Sequence, residues 1–124
     1  MKDTFIYKEL SYKIIGICFK VHRELGSALP EYCYQRALEL EFKKQGIPCT
    51  SQEHVDVHYD STYVGHFIPD IIVDNSIILE LKSDNGITAN HISQLITYLT
   101  TTKLRVGYVV NFGVKSVQFK RLII

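Results

Sequence analysis

The sequence predicts a mixed α/β domain whose sheet holds both parallel and antiparallel strands. Apolar residues recur with helical spacing between residues 9 and 25, and they alternate with polar residues beyond Pro48. The segment 77–111 has the pattern strand, helix, strand, and it is long enough for a parallel crossover. The 124 residues therefore predict a single domain, 1–124, with a core of its own.

Composition excludes several classes of protein. Hydrophobic residues make up 46% of the chain and charged residues 22%, with 14 Lys and Arg against 13 Asp and Glu, which is typical of a globular domain. No apolar run reaches the roughly 18 to 20 residues of a membrane span, and the N-terminus lacks the apolar core of a signal peptide. We therefore expect a soluble, cytoplasmic protein without a membrane partner. Three cysteines without a CxxC pair indicate reduced thiols.

The net charge of +1 bears on partners. A dedicated nucleic-acid binder usually has a basic excess, because neutralising phosphates supplies most of its sequence-independent affinity. Any basic patch on this chain must therefore be local, or be supplied by a partner.

Three helices are predicted. The first has an apolar stripe from Glu9 to Leu25 and ends at Gly26, where a left-handed cap is expected. The second has Pro30 in its first turn and Gly46 just past its end. The third begins after Thr88, a plausible N-cap, and has apolar residues at Ile92, Leu95, Ile96 and Leu99.

Five strands complete the predicted order ααβββαββ. They are Val55–Tyr59, Thr62–Val73 (a longer strand interrupted by Gly65 and Pro69), Ile77–Lys82, Val106–Asn111 and Val117–Ile123. The apolar end of the chain, residues 122–124, leaves two roles open: a cap on the core or a contact between two copies.

Charged residues in the middle of an apolar hairpin are the first candidates for chemistry. Asp70 lies in an otherwise apolar strand, and Glu80 and Lys82 interrupt the apolar residues of the next one. With a three-residue loop centred on Asn75, Asp70 falls directly opposite Glu80, about 5 Å away between Cβ atoms, with Lys82 on the same face. Two like charges at that distance repel unless a cation lies between them. Spacing alone leaves two explanations, a metal site and a solvent-facing cluster of charges.

The same residues carry a family resemblance. Pro69-Asp70 followed by Glu80-Leu81-Lys82 resembles the motif of the PD-(D/E)xK nucleases, which have a restriction-endonuclease-like αβββαβ core. Further matches resemble the GxxExxY family within that superfamily, although Ala28 stands where the family name begins with Gly. The fold implied is that core, with a mixed sheet flanked by helices and an extra N-terminal helix. The further matches are Val21 to Gly26, Glu31 with Tyr34, His91 with Gln94 and Tyr98, and Asn111-Phe112-Gly113.

The resemblance implies roles for these residues. Asp70, Glu80 and the backbone carbonyl of Leu81 would hold a divalent ion, Mg²⁺ with Mn²⁺ as a substitute, which suits a hard cation that takes one or two carboxylates. Lys82 would orient or help to deprotonate the attacking water. Glu31 would be an outer or water-mediated ligand.

Other residues are secondary candidates. The resemblance implies that Gln94 lines the active site, and Tyr98 and His91 share its polar stripe on the third helix. His22 is a further candidate. The alternatives are a carboxylate interacting with the helix dipole for Glu31, a solvated helix position for Gln94, and a half-buried structural histidine for His22.

Three functions are compatible with the sequence. The first is a Mg²⁺-dependent nuclease that cuts DNA or RNA. The second is a non-cutting binding or scaffold module with the same fold, which acts with a protein partner or as a homodimer. The third is an α/β interaction domain in which the motif occurs by chance.

Overall fold

The computed structural model describes residues 5–124; the first four residues, which belong to the N-terminus considered for a signal peptide, lie outside the described part. The helices are α1 (Lys8–Leu25), α2 (Glu31–Lys44) and α3 (Ala89–Thr102). The strands are β1 (Cys49–Thr50), β2 (Val55–Tyr59), β3 (Thr62–Phe67), β4 (Ile71–Val73), β5 (Ile77–Lys82), β6 (Val106–Asn111) and β7 (Gln118–Ile123).

A five-stranded sheet in the order β1-β4-β5-β6-β7 forms the centre of the domain, and β2 and β3 form a separate ribbon. β5 and β6 are parallel and joined through α3, whereas the other neighbours in the sheet are antiparallel. The predicted class, a mixed α/β domain with a mixed sheet, is confirmed. The architecture is consistent with the restriction-endonuclease-like fold.

The ends of the helices follow their local sequence. At the end of α1, Gly26 has φ 79° and its N–H donates to the His22 carbonyl. Pro30 is the N-cap of α2 and so lies just before the first turn in which it was expected. Thr88 caps α3 as predicted, because its side chain accepts a hydrogen bond from the backbone N–H of His91.

The prediction of one long strand over Thr62–Val73 is wrong. The chain pairs in the ribbon as β3, leaves it after Phe67, and enters the main sheet as β4 at Ile71. Pro69 lies in the gap, where a residue without an N–H cannot extend a ladder. β1 was not predicted, because a two-residue strand is too short to show an alternating pattern.

Two apolar clusters cover the two faces of the sheet. α1 and α2 pack on the face that carries Ile71, Leu79 and Leu81, whereas α3 packs on the face that carries Ile72 and Ile78. On the α3 face Gly107 permits close contact, since a Cβ there would lie 2.8 Å from Leu95 Cδ1. Alternate residues of β5 therefore point to different layers, and Glu80 and Lys82 share the α3 face.

The remaining sequence-based expectations concern the chain end, the thiols and the membrane. Leu122 packs against the α3 cluster, whereas Ile123 and Ile124 are exposed. The thiol of Cys18 is buried, and all three cysteines are unpaired. Over residues 5–124, every helix is too short or too polar to cross a membrane.

Candidate active site

The β4–β5 hairpin has the register that the sequence predicted. Val73 pairs with Ile77 and Ile71 with Leu79, so the next pair outward is Asp70 opposite Glu80. Asp74 and Asn75 have φ of 50° and 53°, values that Asp and Asn tolerate better than most residues. The Ser76 N–H closes the turn on the Val73 carbonyl at 2.9 Å.

The two carboxylates bind the backbone reciprocally. Asp70 Oδ2 accepts a hydrogen bond from the Leu81 N–H at 2.8 Å, and Glu80 Oε2 accepts one from the Asp70 N–H at 3.0 Å. Glu80 is only 3% exposed, although it is a carboxylate. Among the described residues, no group donates a hydrogen bond to the second oxygen of either carboxylate. One oxygen of each therefore fixes the site and the other is free for a ligand.

Burial and mutual repulsion perturb both groups. Burial, followed by the negative charge of Asp70, raises the pKa of Glu80 to about 8. Burial also raises the pKa of Asp70, while the Leu81 N–H and the Lys82 ammonium act in the opposite direction. The repulsion between carboxylates that the sequence indicated contributes to the raised pKa of Glu80, but desolvation by burial is the larger cause.

The Leu81 carbonyl lies on the β4 side of β5 without a regular strand partner. Since Lys82 O accepts from Phe112 N on the β6 side, the backbone groups of Leu81 point the other way, toward β4. Continuing the register would place Pro69 opposite Leu81, and proline has no N–H to donate. The Leu81 carbonyl oxygen is therefore left on the side of β5 that faces Asp70, and its role as a metal ligand stays a prediction.

Lys82, Gln94 and Tyr98 are linked in a chain. Lys82 Nζ donates to Gln94 Oε1 at 3.3 Å, and Gln94 Nε2 donates to the Tyr98 hydroxyl at 2.9 Å. The Tyr98 ring stacks on Phe67 with centroids 4.1 Å apart. Burial, and then the negative charge of Glu80, raises the pKa of the Tyr98 hydroxyl. These contacts place Gln94 and Tyr98 beside the carboxylate pair and favour the site position over the solvated one.

Glu31 reaches the same region from the other layer. It is the first residue of α2 and it is exposed, in contrast to Tyr34 on the same stripe. Burial of part of the side chain and the nearby charge of Asp70 raise the pKa of Glu31, whereas Lys82 lowers it. Glu31 therefore lies within electrostatic reach of the pair, and its role as an outer ligand stays a prediction.

His91 has a structural contact at each ring nitrogen. Its Nδ1 accepts from the Thr88 N–H at 3.1 Å, so the proton belongs on Nε2, which lies 3.1 Å from Asp84 Oδ2. These bonds fix the first turn of α3 and hence the position of Gln94.

His22, on α1, contacts the β6–β7 loop. Its Nε2 is 2.8 Å from the Val114 carbonyl, and its ring stacks on Phe112 with centroids 6.2 Å apart. Phe112 also stacks on Tyr34, whose hydroxyl donates to the Gly26 carbonyl at 2.6 Å. These contacts support the half-buried structural reading of His22, which holds the β6–β7 loop against α1.

Asn111 was noticed in the sequence only as part of the resemblance, yet it organises the loop after β5. It is fully buried; its Oδ1 accepts from the N–H groups of Asp84 and Gly113, and its Nδ2 donates to Asp84 O and Gln118 Oε1. A Cβ at Gly113 would clash with the backbone of Asp84, so only glycine fits there. The sequence signal for this role was a polar residue, Asn111, at the end of the otherwise apolar strand β6.

The donor set fits one divalent ion that keeps several waters. Two carboxylate oxygens and one carbonyl oxygen are the ligands that Mg²⁺ and Mn²⁺ prefer. Within residues 5–124, no three side chains from His, Cys, Asp and Glu converge on one metal position. That finding is compatible with a two-carboxylate site and with Glu31 acting through water.

Comparisons with known proteins identify a family and a similar fold. The model of the PD-(D/E)XK nuclease superfamily matches residues 8–122. A comparison with curated proteins gives no significant match. Among solved structures, SSO0001 superposes with a TM-score of 0.60 at 20% identity, which shows a shared fold; the match covers 94% of this chain and 57% of SSO0001.

Two looser structural matches involve one enzyme. An alkaline exonuclease (LHK-Exo) from Laribacter hongkongensis gives a TM-score of 0.40 at 15% identity, over 68% of this chain and 51% of that one. Its complex with dAMP gives 0.47 at 15% identity, over 97% and 71%.

Proposed function

Because this chain belongs to the PD-(D/E)XK nuclease superfamily, we propose that it is a divalent-metal-dependent nuclease that hydrolyses phosphodiester bonds of DNA or RNA. The observation that carries the proposal is the pair of carboxylates that the hairpin places opposite each other beside Lys82. A non-cutting scaffold gains nothing from burying two repelling carboxylates. A site that binds a cation and a phosphate needs such a pair.

Asp70, Glu80 and the Leu81 carbonyl are the proposed metal ligands, with Mg²⁺ as the ion and Mn²⁺ as a substitute. Their hydrogen bonds to the backbone hold the carboxylates before the ion arrives. A bound divalent ion supplies positive charge that stabilises the charge developing on a phosphodiester under attack. Glu31 completes the site as a water-mediated ligand.

Lys82 is proposed to hold the attacking water. Its ammonium makes no direct ion pair with Asp70 or Glu80 among the described residues, and its hydrogen bond to Gln94 fixes its direction. Gln94 is proposed as a catalytic residue that touches the water or the phosphate, and Tyr98 positions it. His91 is proposed to contact substrate near the start of α3.

The GxxExxY family is the proposed subgroup within the superfamily. Glu31 and Tyr34 keep the second and third motif positions, and Tyr34 ties α2 to the end of α1 through Gly26. Ala28 replaces the first glycine. The three unpaired thiols suit a reducing compartment, so we propose a cytoplasmic location.

The experiment compares wild type with Asp70→Asn, Lys82→Ala and the control Asp74→Asn. Calorimetry with Mg²⁺ and Mn²⁺ should show Asp70→Asn weakening metal affinity by more than the roughly tenfold that loss of an outer-shell partner costs. The metal-free Asp70→Asn protein should be no less stable, because the substitution removes repulsion. Asp74 is exposed at the other end of the same strand, so Asp74→Asn should change nothing.

Cleavage is assayed on single- and double-stranded DNA and RNA with each metal. Lys82→Ala should lose roughly 10² to 10⁴-fold in rate while keeping its fold and most of its metal affinity. Equal Mn²⁺ affinity in wild type and Asp70→Asn contradicts the metal site. A wild-type protein that binds Mg²⁺ and cuts none of the substrates, alone or with a co-purified partner, supports the non-cutting module.

A further inference from the structure

The net charge of +1 conceals a segregation of charge along the chain. Residues 45–81 contain no Lys or Arg, and residues 85–124 contain no Asp or Glu. The acidic residues of the first segment are Glu53, Asp56, Asp60, Asp70, Asp74 and Glu80; the basic residues of the second are Lys103, Arg105, Lys115, Lys120 and Arg121.

Folding converts this segregation into two sides of the sheet. The acidic segment forms β1, β4, β5 and the β2–β3 ribbon, whereas the basic segment forms α3, β6 and β7. In the order β1-β4-β5-β6-β7, the candidate active site on β4 and β5 adjoins the basic side along one edge of β5 only. A polyanion is therefore attracted from the β6–β7 side and repelled from the β4 side.

Not all five basic residues are free to bind a ligand. Arg121 donates to the Ile6 carbonyl and lies over the Phe5 ring, and Arg105 donates to the Ile124 carbonyl. Lys103 follows α3 at the end of the sheet where β6 begins, away from Asn111. Lys115 and Lys120 are exposed, and neither side chain makes an ion pair or a hydrogen bond with another described residue.

The sheet register places Lys120 on the face of the candidate site. Lys120 pairs with Val109, Val109 pairs with Glu80, and Glu80 lies opposite Asp70, so all four share the α3 face. Two strand spacings separate Lys120 from Glu80, about 10 Å between backbones. Val109 between them is buried against α3. Lys120 therefore lies on the same face as the candidate site, on the β7 side of it.

Lys115 lies in the β6–β7 loop, which is held from both sides. Gly113 packs against Asp84, and the N–H groups of both residues donate to Asn111 Oδ1. The Val114 carbonyl lies 2.8 Å from His22 Nε2. The loop follows Asn111, the partner of Lys82 in the parallel ladder. These contacts hold the backbone next to Lys115 near the carboxyl end of β5.

We propose that Lys115 and Lys120 bind the sugar–phosphate backbone of a nucleic acid on the β7 side of the candidate active site. This rests on the proposed nuclease function and adds the side from which the substrate is held. Phosphate contacts of this kind carry no base information, so the surface binds strands of any sequence. The two lysines form the local basic patch that a nucleic-acid binder with a net charge of only +1 requires.

The test compares wild type, a Lys115→Gln/Lys120→Gln variant and a control, Lys13→Gln/Lys43→Gln. Lys13 and Lys43 are exposed on α1 and α2, so the control loses the same charge from the other layer. Affinity for a fluorescein-labelled DNA strand and its duplex is measured without divalent ions, over about 50 to 200 mM salt. Calorimetry with Mn²⁺ and a melting curve are run on all three proteins.

We expect the Lys115/Lys120 variant to bind roughly ten- to a hundredfold more weakly, with a log–log salt slope smaller by about 1.4 to 1.8. Its Mn²⁺ affinity and its melting curve should match those of the control. Equal DNA affinity and equal salt slope in this variant and the control overturn the inference, and cleavage by wild type then leaves the nuclease proposal standing. A wild-type protein that neither binds nor cuts nucleic acid overturns both.

Discussion

At the scale of single residues, Glu80 couples stability to pH. Its pKa rises from 4.5 to about 8 on folding, so between these values the unfolded state is ionised while the folded state stays protonated. Folding then takes up a proton, and the contribution to stability that is present at low pH is lost as the pH rises toward 8. Asp70, whose pKa is also raised, acts in the same direction.

We therefore expect the metal-free protein to lose free energy of unfolding, on the order of a few kcal/mol, between about pH 4.5 and 8. Glu80→Gln keeps the size of the side chain and removes the titration, so it should flatten this decline. Urea unfolding across the pH range, with and without Mg²⁺, measures the effect. Saturating Mg²⁺ should restore stability near pH 8, and a wild-type decline no steeper than that of Glu80→Gln would contradict the assignment.

At the scale of elements, the bend between β3 and β4 shapes the proposed metal site. The chain leaves the ribbon at Phe67 and joins the sheet at Ile71, and Pro69 between them offers no N–H to the Leu81 carbonyl. If β4 extended regularly to position 69 with a residue other than proline, the backbone N–H of that residue would donate a hydrogen bond to the Leu81 carbonyl. The interruption that weakens the strand thus leaves an oxygen available for a ligand.

Pro69→Ala tests this role of the bend. The alanine N–H can donate to the Leu81 carbonyl, so Mn²⁺ affinity in calorimetry should fall while stability stays within about 1 kcal/mol of wild type. Pro48→Ala is the control, because Pro48 is exposed and its carbonyl still accepts from the Asp74 N–H. Unchanged Mn²⁺ affinity in Pro69→Ala would show that the carbonyl is not a ligand.

At the scale of the whole molecule, packing on the α3 face sets the position of Gln94. Leu95 is fully buried next to it, and the close contact of Leu95 with Gly107 brings α3 to the sheet. A Cβ at Gly107 would also lie 3.2 Å from the Ile78 carbonyl, a backbone atom, so the Leu95 side chain and the backbone of β5 would both have to shift. The distance between α3 and β5 therefore controls the Lys82–Gln94 hydrogen bond.

We expect Gly107→Ala to destabilise the fold by about 1 to 3 kcal/mol through overpacking. Cleavage should fall further than the folded fraction explains, while Mn²⁺ affinity is kept. Gly16→Ala is the matched control, since a Cβ there meets no atom within 4 Å and alanine in a helix interior is favoured by about 0.5 to 1 kcal/mol. The measurements are melting curves and cleavage rates at equal concentrations of folded protein. A cleavage rate of Gly107→Ala equal to that of wild type would show that the packing of α3 does not affect catalysis.

The sequence by itself determined the helices, most strands and the pairing of Asp70 with Glu80. These depend on local rules: periodicity over many residues, caps such as Thr88, and a turn at Asn75 that fixes which residues lie opposite. Prediction from the sequence failed where the local pattern of polar and apolar residues is weak. A two-residue strand has no period. In Thr62–Val73 the local sequence marked an interruption at Pro69, but it did not show that the chain on either side of it pairs in different sheets.

Only the tertiary structure decided which groups from distant segments meet. Lys82 with Gln94, Glu31 near Asp70, and Asn111 with Asp84 depend on how helices pack across the sheet and on a parallel crossover, and sequence spacing does not encode those distances. The raised pKa of Glu80 likewise required its burial, which exceeds repulsion as the cause. The charge segregation was present in the sequence. The acidic and the basic segments lie on opposite sides of β5 only because β5 lies between β4 and β6 in the sheet.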